Sequence, residues 1–348
     1  MTTLGVGGHA RWFVRATTVE DVAAAHGWCG DTGVPLVVLG GGSNVVVADR
    51  GVDGLVLQIA IGGVDFHPRG GTTGLRLGAG EPWDDVVAAV VSRGLAGLEC
   101  LSGIPGSAGG TPVQNVGAYG QEVSQTIAEV TVLDRQSGKV ATLTSAECRF
   151  AYRMSRFKRE DAGRFIVCDV LFELSPGPPT VTYPDVVSQL ERSGVVSPAL
   201  ADVRDAVLAI RRRKGMVIDA SDPDTRSVGS FFMNPVVDAD RHARLAAAGT
   251  GPVPGFVLAG GKVKIPAAWL IEQSGFARGY QSGAVGISSK HPLAIINRGA
   301  ATARDVLALA ARIKRQVADR FDIWLRPEPA FVGFEDDADV TFLEKAHD

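Results

Sequence analysis

The sequence lacks the features that would place it in several protein classes. No run approaches the roughly 18 uninterrupted apolar residues of a membrane span. The N-terminal stretch Met1 to Gly8 has no basic segment leading into an apolar one, so no secretory signal is read there and a cytoplasmic protein is expected. The four cysteines, Cys29, Cys100, Cys148 and Cys168, are far apart and form no C-x-x-C pair, so they read as reduced thiols buried as small hydrophobes. With no H-E-x-x-H and no Cys/His cluster, no metal site is expected. Positive charge is not in excess: 35 Lys+Arg against 38 Asp+Glu gives a formal charge of −3. A nucleic-acid platform needs clustered positive charge, so that class is excluded.

What is abundant is glycine, 43 of 348 residues, about 12% where about 7% is usual. There is no Gly-X-Y period, which excludes collagen. With 45% hydrophobic residues the chain can bury a substantial core, and its length suits two or three domains. The pattern predicts a helix after Thr18 that buries Val22, Ala25 and Cys29 and stops at Gly30, then strands at 35–39, 45–47 and 55–59. A helix over 83–92 turns Val86, Val87, Val90 and Val91 inward. Hairpin strands follow at 129–133 and 140–143, and another strand at 165–174. After three prolines, at 176, 178 and 179, helices begin near Pro184 and Pro198, and the loop 219–224 marks a boundary. Beyond it come a strand at 230–237, helices at 239–248 and 266–273, strands at 284–287 and 293–296, a helix over 304–321 and a last strand before Pro327. The acidic residues from Glu335 onward read as a solvated tail.

Two glycine loops stand out. Gly40, Gly41, Gly42, Ser43 and Asn44 follow a strand, yet Val45 to Val47 come next and favour another strand, so a Rossmann fingerprint fails. A Walker loop fails too, because both Gly-Lys pairs, at 138–139 and 261–262, are followed by Val. The loop is therefore either an anion-binding nest of backbone N–H groups, helped by Ser43 and Asn44, or a plain turn. The second loop lies between Gly94 and Gly120, with eight glycines and a single charged residue, Glu99. Its bare backbone at Gly103, Gly106, Gly109, Gly110 and Gly117, beside apolar Ile, Val and Tyr, suits a cofactor with a flat ring and a phosphate tail. The bland alternative is a glycine-rich packing junction. Pro105 and Pro112 stiffen the path, and Gln114 and Asn115 offer hydrogen bonds to a polar ring edge.

Three polar residues sit in unusual surroundings. Ser230 precedes Phe231 and Phe232, Glu328 is fixed between Pro327 and Pro329, and Arg153 lies in a basic stretch able to clamp a carboxylate. His291, before Pro292, reads as a structural or rim residue.

Five motifs, in order, resemble the UDP-N-acetylenolpyruvoylglucosamine reductase family: 35–44 ending in Gly-Gly-Gly-Ser-Asn, 104–120, Tyr152-Arg153-x-Ser155, Gly229-Ser-Phe-Phe-x-Asn-Pro235 and Pro327-Glu328. The resemblance spans about residues 3 to 334. It implies an α+β fold, with an FAD-binding part of the vanillyl-alcohol-oxidase type in two subdomains, 1–60 and 61–218, then an α+β substrate-binding domain, 219–334, and the acidic tail, 335–348. It implies FAD held by Gly40 to Asn44 and by Ser102, Gly103, Ile104, Pro105, Gly106 and Ser107. Gly109, Gly110, Thr111, Gln114, Asn115, Gly117, Ala118 and Tyr119 complete that implied set. It implies Ser230 as proton donor, Arg153 and Glu328 beside the enolpyruvyl carboxylate, and NADPH as reductant. Tyr183 resembles the tyrosine that covers the UDP-sugar in the longer family type, and Arg211, Lys214, Asn234 and Gln273 resemble further substrate contacts. Position 233, often basic in such motifs, is Met here, which removes a charge contact. The expected partner is the small-molecule enolpyruvyl UDP-sugar, acted on by a monomer with neither nucleic acid nor membrane. Rival readings are an oxidase of the same fold, which would reoxidise rapidly with oxygen, and a colourless nucleotide-sugar binding module.

Overall fold

The structure, a computed structural model, describes residues 2–247 and 252–345. The chain divides into two compact units. The larger holds Ala10–Gly42 and Asp53–Val217, and the other holds Met1–His9, Ser43–Val52 and Ile218–Asp348. Residues 1–60, read from sequence as one subdomain, are thus shared out. Leu4, Val6 and Val46 bury in the core of the C-terminal unit, whereas Ala16, Val22 and Leu55 bury in the core of the larger one.

In the larger unit, Thr18 caps the helix Val19–Thr32. Its hydroxyl accepts from the Asp21 N–H at 3.1 Å, and the Asp21 carboxylate accepts from the N–H groups of Thr17 and Thr18. The helix does not stop at Gly30. It runs on to Thr32 and ends at Gly33, which takes the left-handed conformation (φ 70°) that a C-terminal cap requires. The following strand, Leu36–Leu39, pairs in parallel with Val52–Ile59, and Ala10–Ala16 flanks the latter. A larger antiparallel sheet runs Lys139–Thr144, Ile127–Asp134, Phe165–Pro176, Thr72–Gly78, Val64–Arg69. Its last two strands were not foreseen: Val64–Arg69 carries Pro68, which an edge strand tolerates. The helix Trp83–Ser92 buries the expected valines, and Trp83 packs against Phe172 of the central strand with 5.7 Å between ring centres.

An acid-sensitive clasp closes one end of this sheet. Asp134 accepts two hydrogen bonds from Arg164, at 3.1 and 2.9 Å, and Asp161 pairs with both Arg156 and Arg164. The Arg164 guanidinium holds the Asp134 carboxyl well below the usual carboxylate range. A carboxylate depressed in the folded state adds stability at neutral pH that is lost as pH falls through the acid range. Asp134→Asn is therefore expected to lower Tm at neutral pH and to flatten its decline below about pH 4. Thermal melts of both proteins across pH check this; parallel curves would refute it.

In the C-terminal unit, Thr302 and Asp305 form a capping box for the long helix Ala303–Phe321, and Asp49 accepts from the Ala303 and Arg304 N–H groups. Val306, Leu307, Ala310, Ile313 and Val317 form the buried stripe. Small sheets surround it: Val236–Asp238, Lys262–Lys264 and Phe256–Leu258; Gln281–Ser282, Val285–Ile287 and Ile295–Asn297; and Val45–Val47 in parallel with Ala330–Val332. Two expected strands move. The stretch from Ser230 contributes only Val236–Asp238, because Pro235 lacks the N–H a ladder needs, and the final strand follows Pro329 rather than preceding Pro327. The tail is not a solvated extension over its described part. Its acidic residues gather at the start of a helix, Ala338–Glu344, where the dipole favours them, while Val340 and Leu343 bury in the core. The fully buried Lys314 donates to the carbonyls of Phe342, Leu343 and Lys345 at 2.9, 2.7 and 3.0 Å. Residues 346–348, also read as tail, and Ala248, read as helix, lie outside the described residues.

Candidate active site

The two glycine loops meet at backbone level inside the larger unit. A Cβ on Gly41 would lie 2.7 Å from Gly106 Cα and 2.9 Å from its carbonyl carbon, and one on Gly40 would lie 2.8 Å from Ser107 Oγ. Close approach, not slack, explains these glycines. The second loop is tightly wound. Short helical turns occupy Glu99–Leu101, Ala108–Gly110 and Thr111–Gln114. Backbone bonds from Trp83 to Gly106 (3.1 Å), Ala108 to Glu81 (2.8 Å) and Gly109 to Ala79 (2.9 Å) fix it to the sheet and the helix Trp83–Ser92.

Among these polar groups, Ser107 stands out. Its hydroxyl is buried without a hydrogen-bond partner, which native folds rarely leave so unless a ligand supplies one. An orphaned hydroxyl beside bare backbone fits a phosphate or a polar ring edge. The loop's other polar side chains are committed to the protein. Ser102 and Thr111 donate to the carbonyls of Glu99 and Ala108, and Asn115 donates to Glu122 and to the Ala151 carbonyl while accepting from the Ser124 N–H. The Asn115 side chain thus braces the loop. Gln114 accepts from Lys158 at 3.4 Å.

Two acidic residues organise the loop without having been singled out for a role. Glu99, fully buried, accepts from the N–H groups of Gly97 and Thr180 and from the Gln121 amide, each at 2.8 Å. Its signal in the sequence was being the one charge among eight glycines. Asp84 accepts from the Gly103 N–H at 2.6 Å and from both ends of the Arg204 guanidinium. Burial pushes the Asp84 carboxyl up, but these donors outweigh it and hold the group below the ordinary value.

Beyond the loop, Tyr119 and Tyr183 pack edge to face at 5.4 Å, Lys214 lies 5.9 Å over the Tyr119 ring, and Lys214 pairs with Asp185. Arg211, nearly fully buried, donates to the Met216 carbonyl and lies by the Tyr119 hydroxyl, while its Nε finds no partner. Arg153 holds a positive φ of 53° and donates to the Gly117 carbonyl at 2.6 Å. Four expected substrate or cofactor residues, Tyr119, Tyr183, Arg211 and Lys214, are therefore assembled, and Arg153 is tied to the same glycine loop. All four cysteines are free and buried. Burial pushes the Cys100 and Cys148 thiols up to about 12, which leaves them unreactive.

Ser230, Glu328, Ser43 and Asn44 belong to the C-terminal unit. The Glu328 N–H donates to the Phe231 carbonyl at 2.9 Å, and Phe232 bridges to Pro327, so the serine and the glutamate sit on neighbouring chain segments. The Asn44 amide donates to the Glu328 carbonyl at 3.3 Å, and the Asn44 carbonyl accepts from the Ala330 N–H at 3.0 Å. Asn44 thus anchors the backbone of Glu328, while Ser43 is held through its carbonyl by Thr3. His291 is not merely at the rim: its Nε2 lies 3.3 Å from Ser230 Oγ. Asn234 accepts from the Ala267 N–H at 2.9 Å, at the start of the helix Ala267–Gln273, and the Gln273 carbonyl accepts from Arg320.

Known proteins match this chain in two parts and as a whole. An FAD binding domain matches residues 10–144, and the C-terminal domain of UDP-N-acetylenolpyruvoylglucosamine reductase matches 222–332. The reductase of that name from Thermobifida fusca is 49% identical over 343 residues, covering 95% of each chain. The one from Streptomyces coelicolor is 46% identical, covering 96% of this chain and 88% of its own. Among solved structures, the reductase of Thermus caldophilus superposes with a TM-score of 0.64 at 26% identity, covering 95% of each chain. With this identity along nearly its full length and an α+β fold that opens with an FAD-binding domain, the chain belongs to the UDP-N-acetylenolpyruvoylglucosamine reductase family, as an FAD-dependent oxidoreductase.

Proposed function

We propose that the protein catalyses the NADPH-dependent reduction of UDP-N-acetylglucosamine enolpyruvate to UDP-N-acetylmuramate, a step in making the peptidoglycan precursor. The observation that carries this reading is the placing of Ser230 and Glu328 on neighbouring segments, joined by the bond from Glu328 N–H to Phe231 carbonyl. When bound, FAD would supply the two-electron hydride chemistry that links NADPH to C3 of the enolpyruvyl group. The glycine backbone of both loops and the Ser107 hydroxyl are the groups assigned to hold it.

Addition at C3 leaves negative charge on C2, delocalised into the carboxylate. Arg153 is assigned to that carboxylate, where a fixed guanidinium stabilises developing charge without reorganising. Glu328 is assigned the role of a hydrogen-bond partner to the substrate. Ser230 gives its proton to C2 and completes the lactyl ether; a hydroxyl is a weak acid, but the carbanion is a strong enough base. Tyr183, Arg211 and Lys214 contact the UDP-sugar. Asn234 and Gln273 are further contacts, with the Asn234 oxygen already committed to its helix.

The test is NADPH oxidation by the purified protein, with and without the enolpyruvyl UDP-sugar, together with the protein's colour. Turnover that needs the sugar and yields its lactyl ether supports the reading. Rapid oxidation by oxygen alone would point to an oxidase, and a colourless protein that binds the sugar without turnover to a binding module.

A further inference from the structure

We propose that His291 is the proton relay behind Ser230, a positioning residue that acts through the serine and not on the substrate. The inference rests on the reading of Ser230 as the donor to C2. Sixty-one positions separate the two residues, and the fold brings His291 Nε2 to 3.3 Å from Ser230 Oγ. The placement is held from both sides. The Phe231 N–H donates to the Leu293 carbonyl at 2.8 Å, tying the serine's segment to the histidine's. The fully buried Ser288 hydroxyl accepts from the N–H groups of Lys290 (3.0 Å) and His291 (3.2 Å), and the His291 carbonyl accepts from the Ala294 N–H at 3.1 Å.

The chemistry gives such a partner a task. A serine that has given up its proton is left as an alkoxide, far too basic to persist at neutral pH. An imidazolium, with an ordinary pKa of about 6.5, can refill it. The step balances. The serine O–H bond breaks as C2–H forms, the Nε2–H bond breaks as serine O–H re-forms, and the neutral imidazole then takes a proton from water. His291 is half-buried, so solvent can recharge it. The charged groups on the surrounding segments are Lys290, paired with Asp222 at 2.5 Å, then Asp224, which accepts from Ser289, and finally Arg326 and Glu328.

The experiment follows the substrate half-reaction by stopped flow between about pH 5.5 and 8.5, on holoenzyme reduced beforehand. In the wild type the rate is expected to fall as pH rises through an ionisation near neutrality, with the same midpoint as the His291 titration seen by NMR. His291→Gln is expected to lose that limb and to run about 100-fold slower at the acid end. His291→Ala is expected to recover rate with added imidazole, a rescue that a purely structural role would not show. A His291→Gln protein with wild-type rate and profile overturns the relay, as does a midpoint unrelated to the His291 titration. Ser230→Ala separates the two ideas. If it reoxidises at the wild-type rate, the donor reading itself fails. If it is slow while His291→Gln behaves as wild type, only the relay fails.

Discussion

Gly41→Val is expected to give a folded but colourless protein. The Cβ of any residue at 41 would stand 2.7 Å from Gly106 Cα and 3.1 Å from the Ser107 nitrogen, all backbone atoms that no rotamer change can clear. The two loops must therefore separate by a sizeable fraction of an ångström, and the added methyls widen the gap. Loops that offer backbone N–H groups to a phosphate tail lose those bonds together when their spacing changes, because each depends on the same geometry. Net hydrogen-bond contributions of about 1.5 kcal/mol or more for charged partners make the loss of two of them a roughly 100-fold weakening. Bound flavin, measured by absorbance after purification and by titrating FAD back into the protein, checks this. Retention of wild-type flavin content would show that the loop contact plays no part in holding the cofactor. Far-UV circular dichroism is expected to stay native, since Gly41 is exposed and lies outside the packed core.

The largest loss of stability is expected from Lys314→Ala. Burial lowers the Lys314 ammonium to about 8, so it is still protonated at neutral pH. Its three hydrogens match three carbonyl acceptors at the end of the helix Ala338–Glu344. Truncation removes a buried stem and all three of these donors at once. Cavity formation and the lost bonds together predict a cost of about 3 to 5 kcal/mol. The C-terminal helix should come loose first, so limited proteolysis is expected to cut within 335–345 before any other site opens. Melting temperature and the site of the first cut are the two readouts. A variant that melts like wild type, or one cut first elsewhere, would deny Lys314 this role.

Much of the fold was legible because local patterns and burial agree. The helices Trp83–Ser92 and Ala303–Phe321 show apolar stripes at helical spacing, and the structure buries those same residues. Gly30 misled because glycine in a helix only weakens it, whereas the stop needs a left-handed residue, and that is Gly33. The tail misled because charge dominates its composition while only Val340 and Leu343 decide its burial. At the site, single residues such as Ser230 and Glu328 were ambiguous by themselves and gained meaning through the order of the five motifs. His291 carried no local signal at all. Its partner is 61 positions away, and only the folded chain shows the contact.

The division of the first glycine loop between the two units bears on how the chain is made. The chain leaves the larger unit at Gly42, and the strand Val45–Val47 that follows finds its partner in Ala330–Val332. Leu4, Val6 and Val46 bury among residues translated hundreds of positions later. These segments leave the ribosome long before their partners and stay unsatisfied meanwhile, exposing apolar side chains during synthesis. The larger unit is interrupted only by the short excursion Ser43–Val52 and is otherwise complete by Val217, so it can fold while the remainder is being made. A fragment beginning at residue 218 would lack the strand against which Ala330–Val332 is built, so cutting at the apparent boundary does not yield an autonomous C-terminal piece.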